Sequence, residues 1–139
     1  MRVVLDVNVW ISALLWGGIP ARILHLSRQN KLTIFISESL LQELEITLKQ
    51  AKFKNQLQKR NHTVEYLISI MQGFSEQCPN ISLNIPELRD PKDYHILAEA
   101  LSANAEVLIT GDQDLLVLGN FREILIMKPT DFLNLYFPE

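Results

Sequence analysis

A chain of 139 residues with 47% hydrophobic side chains suits one domain with a true core, burying roughly two-thirds of the surface it would expose unfolded. A formal net charge of −3 and a pI near 5.6 exclude nucleic-acid binding by bulk positive field alone; such a partner remains open only where a cation offsets local acids. The single cysteine, Cys78, excludes an internal disulfide and a thiolate zinc cage, and it reads as filler or loop in a reducing cytoplasm, the expected location.

Residues 2–5 directly follow Met1 and read as a buried parallel strand, because their hydrophobes are consecutive rather than alternating; no signal peptide is expected ahead of them. A helix over residues 7–15 follows. The apolar stretch from Val9 to Trp16 falls short of the roughly 20 residues of a membrane span. Gly17-Gly18 breaks that helix, and Pro20 suits the first turn of the next, over residues 21–28. Residues 32–36 are β-branched and aromatic enough for a second strand. Ser37 or Ser39 can cap a helix carrying Leu40, Leu41, Leu44 and Leu48 on one side. A basic stretch with Lys49, Lys52, Lys54, Lys59 and Arg60 reads as a solvated face, or as a grip on a phosphate backbone. A helix over about 63–74 comes next, then a short strand over 81–85 that Pro86 confines to an edge. Asp90-Pro91 opens a helix with Ile96, Leu97, Ala100 and Leu101 at core spacing, followed by a strand over 106–110. A helix over 113–118, a strand over 124–127 and a closing helix from Thr130 or Asp131 complete an alternation that implies a parallel sheet between helical layers, in one domain spanning residues 1–139.

Function is most legible in the aspartates. Of six, Asp6 ends the first apolar run, and four fall between Asp90 and Asp114. Asp6, Asp112 and Asp114 sit at strand ends, where open α/β sheets place their active sites. Asp93 lies within the arc of Ile96, Leu97 and Ala100, so an acid occupies a core-facing position; Asp90 reads as the cap of that helix. Glu45 has Lys49 at i+4, which accounts for it, whereas Glu43 has Thr47 there and no cation, making it the better ligand candidate. Asn8 can bond from the first turn after Asp6, with Ser12 one turn on, and Thr110 offers a hydroxyl beside Asp112. If the two strands are neighbours, these acids converge and repel. A hard divalent cation, Mg²⁺ or Mn²⁺, would resolve the repulsion with oxygen ligands alone, and the implied reaction is phosphodiester hydrolysis. His25, His62 and His95 share no metal spacing and read as structural or surface groups, with His95 directed away from the face of Asp93.

Four segments in this order, LDVNVWISAL, SESLLQELEITL, RDPKDYHILAEAL and TGDQDLL, resemble the PIN-domain ribonucleases, and among them the small toxins of bacterial and archaeal toxin–antitoxin pairs. The likeness covers nearly the whole chain. It implies that Asp6, Glu43, Asp93 and Asp112 are the catalytic, metal-binding acids, that Asp114 joins or supports them, and that Asn8 and Thr110 assist. Val7 departs from the small hydroxylated residue commoner at that place in the family. The likeness further implies a three-layer α/β/α sandwich, cleavage of single-stranded RNA, a cognate antitoxin and a homodimer; Trp10 and Trp16 near the first helix suit apolar faces for such pairing.

Two other readings compete. A phosphorelay receiver shares strand-end acids, but needs a phosphoacceptor aspartate at a mid-chain strand end, and none lies between Asp6 and Asp90. A haloacid-dehalogenase-like phosphatase would find Asn8 where its second acid belongs. A PIN-like binding module without activity is the remaining alternative.

Overall fold

The structure, a computed structural model, describes residues 1–81, 86 and 94–139. At its centre lies β1 (Arg2–Leu5), whose Val3, Val4 and Leu5 are wholly buried, as a strand covered on both faces requires. It pairs in parallel with β2 (Thr33–Ser37) on one side and β4 (Val107–Ile109) on the other, with Val4 in register with Phe35 and Leu108. Next to β2 runs β3 (Ser75–Cys78), and next to β4 runs β6 (Ile124–Met127), both parallel. The short β5 (Asn120–Phe121) closes the far edge antiparallel to β6, giving the order β3-β2-β1-β4-β6-β5. Helices flank the sheet on both faces in the expected three-layer arrangement.

The first apolar helix divides as expected into α1 (Val7–Leu15) and α2 (Gly18–Arg28), whose axes meet at 93°. Gly17 and Gly18 take φ of +70° and +65°, which an L side chain would resist. Helix α2 begins three residues earlier than expected and carries Pro20 in its first turn, where no intrahelical N–H bond is lost. Among the described residues no single helix is long and apolar enough to cross a membrane.

Helix α3 (Glu38–Leu48) is capped by Ser37, whose hydroxyl accepts from the Leu40 N–H at 3.2 Å; Leu40, Leu41, Leu44 and Leu48 form its buried stripe. The basic stretch, read as a solvated face or a phosphate grip with no element assigned to it, is itself helical: α4 (Ala51–Lys59) buries just Phe53 and Leu57, too thin a stripe to declare itself. Helix α5 (Val64–Phe74) leads straight into β3, a strand that the sequence conceals because its residues, Ser-Glu-Gln-Cys, bury only Cys78 at a sheet edge. The strand expected over 81–85 lies almost entirely outside the described residues, and Ile81 is not in a strand. Beyond them come α6 (Tyr94–Ser102), α7 (Gln113–Leu118) and α8 (Pro129–Tyr136), the last starting at the proline itself.

Candidate active site

Strands β2 and β4 leave β1 in opposite directions, so the sheet has its topological switch point between β1 and β4, and the crevice outside their carboxyl ends is where such sheets bind ligands. Leu5 is in register with Ile109, which sets Asp6 beside Thr110, and the Asp6 N–H donates to the Ile109 carbonyl at 3.0 Å. Asp6 caps α1: its Oδ1 accepts from the Val7 N–H at 2.8 Å. Its Oδ2 accepts from the hydroxyl of wholly buried Thr110 at 2.8 Å, and Thr110 Oγ1 in turn accepts from the Asp112 N–H at 3.0 Å. Asp112 then caps α7, its Oδ1 accepting from the Asp114 N–H at 2.9 Å. Two strand ends are thereby joined by one run of hydrogen bonds, and the convergence expected of Asp6, Thr110 and Asp112 is present.

Glu43 stands in the second turn of α3 with its side chain exposed. The Thr47 hydroxyl bonds the Glu43 backbone carbonyl at 2.8 Å rather than its carboxylate, while Glu45 is taken up by Lys49 at 3.1 Å, as its spacing predicts. Asn8 is exposed on the first turn of α1 and Ser12 is partly exposed one turn further on. The Asp114 side chain is exposed, and its role within this run of bonds is played by its backbone N–H. Asp90 and Asp93 lie outside the described residues.

Two further residues belong to the site's surroundings. His95, set aside above as a surface group, lies near enough to Glu43 that its positive form favours the ionised carboxylate. One turn on, Glu99 is 2% exposed, and its Oε1 accepts from the Ser37 N–H at 2.5 Å. On a helical wheel Glu99 falls at the flank of the Ile96, Leu97 and Ala100 stripe, where an acid passes for a solvated residue. The signal that could have exposed it is its place inside the small and apolar run Ile96-Leu97-Ala98-Glu99-Ala100.

Burial is the main influence raising these carboxyls, with mutual repulsion second. Burial pushes the Asp6 carboxyl above its ordinary range; the Thr110 and Val7 hydrogen bonds oppose this, and the charge of Asp112 adds to it. Glu43 is raised by loss of hydration and then by Asp6. Glu99 is raised to about 8, chiefly by burial, with Asp6 and Glu43 adding to it against the hydrogen bonding of Ser37. Burial lifts the Cys78 thiol to about 11, leaving it without thiolate at neutral pH.

Among the described residues no three acidic, histidine or cysteine side chains already stand at metal-caging separation. The donor set nevertheless suits a hard divalent cation. Its donors are carboxylate oxygens; Asp6 and Glu43 are made costlier to ionise by burial and then by a neighbouring acid, and a cation between them would lower that cost.

Comparison with known proteins bears on the family and the fold. The chain is 33% identical over 126 residues to MJ1680 of Methanocaldococcus jannaschii, a protein described as uncharacterized, covering 90% of this chain and 79% of that one. Its fold is similar to a chain in the crystal structure of VapBC2 from Rickettsia felis bound to a DNA fragment from their promoter, with a TM-score of 0.60 at 18% identity, covering 91% of this chain and 97% of the other. The sequence profile of the PIN domain matches residues 2–114, a span that contains Asp6, Glu43, Asp93 and Asp112, and the chain therefore belongs to the PIN domain family.

Proposed function

We propose that this protein is a metal-dependent endoribonuclease that hydrolyses phosphodiester bonds in single-stranded RNA and serves as the toxin of a type II toxin–antitoxin pair. The observation that carries this reading is the run of bonds from Asp6 through Thr110 to Asp112, which brings two carboxylates together at the carboxyl ends of adjacent strands beside the switch point. PIN domains are nucleases that generally use divalent ions, in keeping with oxygen-only donors. Asp6, Glu43, Asp93 and Asp112 would hold Mg²⁺ or Mn²⁺, with Asp114, Asn8 and Ser12 along the rim. When bound, the ion supplies water activation and charge compensation at the phosphoryl group. Thr110 keeps Asp6 Oδ2 oriented and favours its ionised form. Direct attack by water accords with a Cys78 thiol that is buried and protonated, so no covalent intermediate on sulfur is expected. Exposed Lys52, Lys54 and Lys59 on α4 supply charge for an RNA backbone.

The likeness to VapBC2 supports an antitoxin partner. For self-association the relevant group is Trp16, 54% exposed at the end of α1, because Trp10 is wholly buried in the core. The receiver reading loses ground in the sheet: receivers have the order 2-1-3-4-5, whereas β2 here lies between β3 and β1. Purified protein incubated with single-stranded RNA should cleave it with Mg²⁺ or Mn²⁺ and lose cleavage in EDTA. Asp6→Asn and Asp112→Asn should each lower turnover by orders of magnitude with the fold intact. Mn²⁺ binding without cleavage of any single-stranded RNA would favour a binding module instead.

A further inference from the structure

An acid at position 99 demands an explanation, because a carboxyl buried to 2% exposure among Ile96, Leu97, Ala98 and Ala100 costs several kcal/mol unless its oxygens find partners. One does: Oε1 accepts from the Ser37 N–H. The other, Oε2, has no partner among the described residues. Ser37 ends β2 and, through its hydroxyl on the Leu40 N–H, starts α3, the helix that presents Glu43 in its second turn. Helices α3 and α6 pack on one another, and the charges of Asp6 and Glu43 are felt at Glu99. Helix α6 is thus bonded to the residue from which α3 departs.

We propose that Glu99 is a positioning residue of the acidic centre: by holding Ser37 it fixes the start of α3, and with it the place of Glu43 relative to Asp6. The proposal rests on the reading of these acids as metal ligands, and assigns Glu99 no contact with metal or RNA. What the position requires is an acceptor at the right reach, not an ionised group.

Two substitutions separate these requirements. Glu99→Gln keeps an oxygen at the same reach, whereas Glu99→Asp keeps the carboxyl and withdraws it by one methylene. Mn²⁺ affinity of each protein, read by electron paramagnetic resonance, should stay within threefold of wild type for E99Q and weaken at least tenfold for E99D, the range of outer-shell substitutions at metal sites. The Ser37 amide proton should keep its NMR position in E99Q and move upfield in E99D. Circular dichroism establishes that each variant is folded; should E99D not fold, E99Q alone decides, since a tenfold loss of affinity there overturns the proposal. It is likewise overturned by an E99D protein that binds Mn²⁺ as wild type does. Wild-type protein that binds Mn²⁺ yet cleaves no RNA would sink the nuclease reading and leave this test intact.

Discussion

Thr110→Val removes a single hydroxyl from a wholly buried site while nearly preserving volume, so its effect reports hydrogen bonding rather than a cavity. The hydroxyl donates to Asp6 Oδ2 at 2.8 Å, a bond to a charged acceptor that contributes about 1.5–3 kcal/mol, and accepts from the Asp112 N–H at 3.0 Å, whose loss costs about 1 kcal/mol. The added methyl returns about 0.8 kcal/mol of apolar burial, leaving a net loss of roughly 2–3 kcal/mol at neutral pH. Urea denaturation in EDTA reads that number directly. A second consequence concerns pH. The Thr110 bond lowers the Asp6 pKa against burial, so its removal raises the pKa further, and the acidic limb of cleavage, which requires ionised Asp6, should move to higher pH. A loss under about 0.5 kcal/mol together with an unmoved acidic limb would refute the account of how Asp6 is held.

Further expectations follow from other parts of the molecule. The Glu99 carboxyl, raised from 4.5 to about 8 in the fold, binds a proton that the unfolded chain has released between those values. The contribution of this protonated carboxyl to stability without metal is therefore fully present below pH 4.5 and is lost as pH rises through 8, by roughly 3–5 kcal/mol, and Glu99→Gln should flatten that decline in urea titrations at pH 5 and 9. The two-residue loop between β5 and β6, Arg122-Glu123, has φ of +46° and +73°, so replacing it by Asn-Gly, the pair suited to a type I′ turn, should raise stability by about 1 kcal/mol in thermal or urea unfolding. Leu44→Ala, behind Glu43 on the wholly buried side of α3, should cost about 2–5 kcal/mol, measured by the same unfolding experiment.

What the sequence revealed and what it hid divide along physical lines. Consecutive hydrophobes at β1 and β4, the Gly17-Gly18 break and the cap at Ser37 are local signals, and each element they mark is present. The edges of the sheet were hidden for want of such signals. Strand β3 is held by pairing with β2 and buries one residue, and the β5–β6 hairpin turns on Arg122-Glu123, which carries none of the glycine or asparagine that marks such turns. At the site, Asp6, Thr110 and Asp112 were legible because strand ends converge wherever strands are neighbours. Glu99 and His95 were not, since their relation to Ser37 and Glu43 arises from the packing of α6 against α3, a distance of 62 residues in the case of Glu99 and Ser37. Asp90 and Asp93 lie outside the described residues.

Crystals soaked in Mn²⁺ and measured at the manganese edge test the central claim most directly, because anomalous scattering locates the ion without reference to activity. The account predicts a peak in the crevice between the ends of β1 and β4, within about 2.0–2.3 Å of carboxylate oxygens of Asp6 and Asp112, and its absence in Asp112→Asn. A peak held elsewhere, or none at Asp6 at a concentration that supports RNA cleavage, would contradict it.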